Sequence, residues 1–358
     1  MIRTNAAILL GSLALSGLLF AENVNSNDTG LQLSIAADLL GEVSTIENGG
    51  GINRLDAREA EIGVMAPIDP YLDGYLSMAA HREDDEYVFE PHEIYLSSSK
   101  FIPRSRIRAG LFFLGIGRLN QFHRHDWAFT SAPKVQREFF GVEAASDAGI
   151  EYSWLTPLPF YLELRLGVTS GWAYGHAHGI GTQPNFPTHY LRATYYNDLF
   201  SNGGIQTGLN YLGRRNSSGQ WMTLLGIDLT AKWRQDRVLT FLLQSEFWRR
   251  QLIQDGTPTE TTIGYYLFPQ YGINPSMEFG IRFDGYAITS QQDALGNAIA
   301  NFDYAIVPTL SYHTSEFATL RLSYHHSSDT TSSIEIGRQR FIQLQAVFIL
   351  GAHPAHDF

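Results

Sequence analysis

The chain contains no cysteine, so no disulfide framework can hold it together. Charge is sparse: Asp, Glu, Lys and Arg make up only 17% of its 358 residues. The formal net charge of −11 argues against nucleic acid as a partner. Long hydrophobic runs are also missing. Beyond the first 21 residues no segment reaches the roughly 18–20 apolar residues that a membrane-spanning helix needs. What the chain does have is 33 Gly, 18 Tyr and 22 Phe, a composition suited to β-structure.

The opening "MIRTNAAILLGSLALSGLLFA" has the layout of a secretory signal peptide. Arg3 supplies a short positive region, residues 6–20 an apolar run, and Ala21 stands before the polar "ENVNSNDTG". The expected division is a signal peptide over 1–21 and an exported β-domain over 22–358.

The dominant pattern is alternation with period two. In "QWMTLLGIDLTAKW" (220–233), Trp221, Thr223, Leu225, Ile227, Leu229, Ala231 and Trp233 share one face, while Met222, Leu224, Gly226, Asp228, Thr230 and Lys232 share the other. On a tilted strand the two tryptophans stand about 28 Å apart along a membrane normal, close to the aromatic-edged band of an outer-membrane barrel. Phe160–Val168, Met277–Phe283 and Ile342–Leu350 repeat the alternation, and the second face is often charged. Charges facing inward suit a wet lumen better than a dry core.

The pattern predicts an all-β protein: a transmembrane antiparallel β-barrel of about 16 strands (range about 14–18) with long outer loops and short periplasmic turns. The predicted strands are 31–45, 54–66, 71–82, 86–98, 105–115, 149–156, 159–172, 188–199, 204–214, 220–234, 237–251, 261–271, 276–287, 302–312, 316–325 and 334–350. Short connectors such as "PIDP", "TPLP" and "RQDR" alternate with a set holding the longer pieces 116–148, 173–187 and 288–301. The expected location is a bacterial outer membrane, with its lipid as one partner. An exported β-sandwich or β-helix is the soluble alternative.

Two His-x-His pairs fall in neighbouring outer loops of this plan. His123 and His125 lie in 116–148, and His176 and His178 in 173–187. With Asp126 beside them they offer Zn²⁺ the nitrogen and oxygen ligands it accepts. The competing reading is that they are ordinary loop histidines. Zinc enters as a ligand or transported ion, and no cofactor is required. The long loop is aromatic-rich, and folded inward it would narrow the pore, with Arg118, Arg124, Lys134, Arg137 and Glu138 as a mixed-charge constriction. A loop that only seals the outer rim is the other reading.

Arg104, Arg106 and Arg108 in "RSRIRAG" form either an anion ladder in the lumen or counter-charges to Glu59, Glu61 and Glu93. Catalysis finds little support. Ser323 beside His325 and Ser311 beside His313 lack a nucleophile elbow or recognisable hydrolase motif, and a lipid hydrolase would need such a pair on the lipid-facing rim.

"GRLNQFHRHDWAF", "EFFGVEAASDAGIEYSWLTPLPFYLEL" and the terminal "LGAHPAHDF" resemble bacterial outer-membrane proteins commonly labelled zinc-regulated and TonB-dependent-receptor-like, most densely over residues 105–172. The label implies energised, metal-linked import. The expected mature start, "ENVNSNDTGLQLSIAADLL", leaves no room for a receptor plug, so the resemblance implies an unplugged, porin-like barrel, and it places His353 and His356 in a histidine-rich tail.

Together these readings point to passive, selective uptake of a small solute, zinc or a zinc chelate first. A general or anion-preferring porin is the alternative and a structural or adhesive barrel the third class. A homotrimer fits a 16-strand porin.

Overall fold

Residues 30–44, 53–83, 86–171, 187–200, 202–216, 218–236, 238–291, 299, 301–329 and 337–351 are described by the computed structural model. They form β1 (Gln32–Ser44), β2 (Arg54–Pro67), β3 (Asp73–Glu83), β4 (Glu86–Ser98), β5 (Ser105–Phe113), β6 (Ser146–Leu155), β7 (Tyr161–Thr169), β8 (Thr188–Leu199), β9 (Gly203–Arg215), β10 (Trp221–Gln235), β11 (Val238–Gln254), β12 (Thr257–Asn274), β13 (Met277–Gln291), β14 (Asn301–Ser315), β15 (Ala318–Asp329) and β16 (Gly337–Gly351). Each strand pairs antiparallel with its sequence neighbour. β1 closes on β16, with Ser34 opposite Gly351 and Ser44 opposite Phe341. Closure removes every unpaired edge, the condition a sheet must meet in lipid.

All sixteen expected strands are present, and 86–98 and 188–199 keep their expected bounds. The largest differences are at the outer ends of β12, β13 and β15, which run four residues further than the alternation suggested, with β11 three residues longer there. Asp255 (φ 50°) and Gly256 (φ 80°) make the β11–β12 connection a two-residue hairpin, so both strands continue to the tip. The expected signal peptide, the 173–185 region with His176 and His178, and the tail with His353 and His356 lie outside the described residues.

The exterior is apolar and the interior polar, the reverse of a soluble domain. Leu33, Ile35, Leu39, Leu166, Leu209, Leu225, Ile227 and Leu344 are exposed, while Asp38, Glu59, Glu61, Asp228, Glu246 and Asp303 are buried. Exposed aromatics gather at the two ends of the wall: Tyr71, Phe101, Phe160, Phe200 and Phe317 by the short turns, and Tyr87, Phe89 and Phe302 at the opposite rim. These are the interfacial girdles of a membrane barrel. The expected outer-membrane barrel is thus the architecture found. By this topology the start of β1, the end of β16 and the short turns mark the periplasmic side.

Two bulges break the alternation where it matters. Asp38 of β1 faces Glu59 and Leu39 faces Ala57, leaving Arg58 as the extra residue on β2. Ser77 of β3 faces Glu93 and Met78 faces Pro91, leaving His92 as the extra residue on β4. A bulge turns two consecutive side chains to one face, so Arg58 with Glu59, and His92 with Glu93, all point into the lumen. Pro91 cannot donate to the ladder and marks the second bulge.

Candidate functional site: a loop folded into the lumen

The connection from β5 to β6, residues 114–145, contains two 3-10 turns (Leu119–Gln121 and Arg124–Asp126) and a short helix, α1 (Lys134–Phe140). Pro133 precedes the helix, and Gly141, at φ 100°, ends it, the usual asymmetry of helix punctuation. Asn120 staples the loop's two ends. Its amide donates to the carbonyls of Leu114 (2.8 Å) and Ala145 (3.1 Å), and its oxygen accepts from the Ala145 N–H (2.6 Å).

The loop folds inward and touches the wall on most sides. Gly117 N–H donates to Asn210 (2.8 Å) and Leu119 N–H to Glu246 (2.7 Å). Thr130 Oγ1 bonds Ser323 (2.7 Å) and Gln343 (2.8 Å), and lies 3.4 Å from His325 Nε2. Arg58 donates to the Thr130 carbonyl (2.6 Å), and Lys134 to Asp303 (2.6 Å). The hydrolase reading of Ser323 and His325 therefore gives way to a structural one. Both are buried on the lumenal side, where they hold Thr130, rather than on the lipid-facing rim.

Half of the wall meets the loop with apolar side chains. Leu119, Trp127, Phe129, Val135, Phe139 and Phe140 pack on Tyr190, Leu212, Met222, Leu224, Trp248, Tyr266, Phe268 and Tyr286 of β8–β13. Phe129 sits edge-on to Tyr266 (5.8 Å) and Phe268 (5.3 Å), and Phe140 to Trp248 (4.8 Å). Gly264 leaves the space that Val135 fills, since a Cβ there would come within 2.6 Å of the Val135 side chain.

The other half is a ladder of imidazoles and carboxylates. His81 of β3, His92 of β4, and His123 and His125 of the loop follow one another with ring centroids 5.8, 5.9 and 5.5 Å apart. Glu61 Oε2 lies 3.2 Å from His92 Nδ1 and 2.8 Å from His123 Nδ1. Glu143 faces His92 Nε2, Glu93 faces His123 Nε2 and Glu59 faces His125 Nδ1, each at 3.3 Å. Arg124 bridges Glu59 (2.8 Å) and Glu143 (2.7 Å). Burial pushes the His123 imidazole down, but Glu61 and then Glu93 outweigh it and hold it well above the ordinary histidine range. For His125 burial is again opposed, by Asp126 and Glu59, and the net shift is upward.

The expected site is therefore rearranged. His123 and His125 are buried in the lumen, not displayed at an outer mouth, because the loop that carries them turns inward. Asp126 stays beside His125 at 3.6 Å. Arg124 and Lys134 are tie-points to the wall rather than constriction residues, since each is buried against a carboxylate. Arg137 and Glu138 sit 3.8 Å apart on the more exposed side of α1. Of the five, Arg118 lines the chamber below the loop. His92 was missed because alternation counted from Glu93 turns it outward; Pro91 in a strand was the available signal.

Below the loop is a chamber of about 680 Å³. Ser99, Arg104, Ser105, Leu155 and Tyr161, at the periplasmic ends of β4–β7, line one end, and Arg118, Gln121, Phe122 and His123 of the loop line the other. Six arginines (104, 106, 108, 118, 165, 192) border it, with three glutamates (93, 151, 163). Arg108 pairs with Glu151 (2.8 Å) and Arg165 with Glu163 (2.8 Å). Arg104 donates to the Thr156 carbonyl, Arg106 to the Ser97 hydroxyl and Arg118 to the Gln206 side-chain oxygen. Burial, and then the Arg192 charge, push the Arg118 guanidinium down to about 10, still cationic at neutral pH. Of the expected counter-charges Glu59, Glu61 and Glu93, only Glu93 comes near this row, 3.8 Å from Arg108, whose main partner is Glu151; Glu59 and Glu61 instead face Arg124 and the histidines.

Fold and lumen define a porin-like outer-membrane barrel with an inward loop. No family model matches the chain. An uncharacterized protein of Aquifex aeolicus is 27% identical over 341 residues, covering 84% of this chain and 69% of that protein. Among solved structures, DcaP, an outer membrane channel of Acinetobacter baumannii, superposes with a TM-score of 0.62 at 11% identity, covering 89% of this chain and 96% of that one. An anion-selective porin from Comamonas acidovorans gives 0.61 at 12% identity (89% and 99%). The trimer form of OmpT, an outer membrane protein of Vibrio cholerae, gives 0.59 at 9% identity (89% and 99%). At these identities the likeness is one of fold.

Proposed function

We propose that the protein is a passive outer-membrane channel whose lumenal loop narrows the pore and whose arginine-bordered chamber favours small anionic solutes. The observation that carries this reading is the chamber itself: arginines outnumber glutamates two to one along its lining, and Arg104 and Arg106 there donate to neutral oxygens. Charge on a pore wall sets which ion enters. A volume of about 680 Å³ lies in the range that accepts a small organic solute. The anion-selective porin among the structural neighbours supports the same direction. Zinc capture by His123, His125, Asp126, His176 and His178 at the outer mouth is disfavoured as the transport step, since the inward loop buries His123 and His125 against the barrel wall. A homotrimer remains the expected assembly, supported by the trimer form of OmpT.

The test is the reversal potential of single channels in a planar bilayer under a KCl gradient. The expected sign is that of chloride preference, shrinking in an Arg104→Gln, Arg106→Gln double variant. Cation preference, or no current through folded protein, would contradict the reading.

A further inference from the structure

We infer that Glu61, His92 and His123 form a binding site for one divalent cation of the zinc class, which clamps the lumenal loop to the barrel wall. The inference stands apart from the nature of the solute. It rests on four features of the ladder.

Ligand atoms of the three side chains lie within 4.8 Å of one another, and all three residues are buried. Glu61 Oε2 lies 3.2 Å from His92 Nδ1 and 2.8 Å from His123 Nδ1. Ligands on a tetrahedral zinc, with bonds of about 2.0–2.1 Å, stand about 3.3 Å apart. Small side-chain movements would admit the ion.

Each imidazole turns one nitrogen to Glu61 and the other to a separate carboxylate, Glu143 for His92 and Glu93 for His123. Metal-bound histidines commonly donate their second ring N–H to a carboxylate in this way, which fixes the ring and leaves the other nitrogen for the metal.

The charge balance admits a cation. Glu59, Glu61, Glu93 and Glu143 crowd one region, where Arg124 bridges Glu59 and Glu143 and Arg108 lies 3.8 Å from Glu93. A dication bound to neutral imidazoles would be balanced by these carboxylates, so the site accommodates its charge. Finally, there is an entry path, because His123 and Glu93 border the chamber.

Two ligands come from the wall and one from the loop, so the site exists only with the loop docked. Binding therefore stabilises the docked state by linkage. Two overlapping groups, His81–Glu90–His92 and Glu59–Glu61–His125, extend the same ladder. They share Glu61 or His92 and offer neighbouring positions rather than independent sites.

The test is titration of the full-length, detergent-folded barrel, stripped with a chelator, with ZnCl₂ by calorimetry. Co²⁺ serves as a second probe, read by the visible bands of tetrahedral coordination. The expected result is one ion per chain and Co²⁺ bands without sulfur character. Binding should be lost in His92→Ala, and weakened about 10–100-fold in Glu143→Gln and Glu93→Gln, which face the far ring nitrogens of His92 and His123. His313→Ala, which removes a histidine paired with Glu278 at 3.2 Å outside these groups, should leave binding unchanged. Heat-modifiable gel mobility reports folding; should His92→Ala not fold, the shape-conserving Glu61→Gln variant decides. No binding to folded parent protein would overturn the inference. So would unchanged binding in these ligand variants, or loss only in a His176→Ala, His178→Ala variant.

Discussion

Across the lumen, β2–β4 meet the loop with Glu59, Glu61, His92 and Glu93, whereas β8–β13 meet it with Tyr190, Leu224, Trp248, Tyr266 and Phe268. The two contacts do different work. Aromatic packing is non-directional and supplies most of the free energy that holds the loop inside. The ionic contact needs particular partners at particular angles, and its net contribution is smaller because each buried charge first loses water. Its use is to fix register: Arg124 of the loop meets Glu59 of the wall and is braced by Glu143 of its own loop, while His123 and His125 meet Glu61 and Glu59. A loop held by packing alone could slide; one held by charge alone would loosen as ionic conditions change.

Breaking the apolar half should have the larger effect. Phe129→Ala removes a fully buried ring packed on Tyr266 and Phe268 and should cost loop docking about 4 kcal/mol. Hydrogen exchange across residues 117–131 should then accelerate, with strand amides unaffected. If protection there is unchanged, the aromatic cluster is not what holds the loop. Breaking the ionic half comes second. Arg124→Ala strands Glu59 and Glu143 and should cost about 3 kcal/mol, toward the low end for a broken buried pair because the lumen is wet. Exchange should rise around residues 119–126 and stay slow at α1. Equal acceleration at both places would mean the loop undocks as one body and the two halves do not act separately.

The barrel was legible because its signal repeats sixteen times. A strand with lipid outside and water inside must alternate, so 86–98 and 188–199 could be read to the residue. The lumen was legible only where that rule held, as for Glu59, Glu61 and Asp228. It failed at Arg58 and His92, because a bulge costs one residue and shifts parity without any long-range pattern to announce it. Met222 and Leu224 were placed on the correct face, yet nothing local says that a lumenal apolar pair awaits Trp127, Phe129 and α1. Loop length suggested function, but inward folding depends on contacts between residues up to 213 positions apart, as between Thr130 and Gln343. The arginine row was visible, while its main partner Glu151 stands 43 positions along the chain, on β6.

The most direct test of the account is single-channel recording of the parent beside a variant in which residues 117–143 are replaced by a short Gly-Ser linker. The account predicts a small, anion-preferring conductance in the parent and a several-fold larger, weakly selective one in the variant. Equal conductance and selectivity in the two would show that the loop neither narrows the pore nor shapes what passes it.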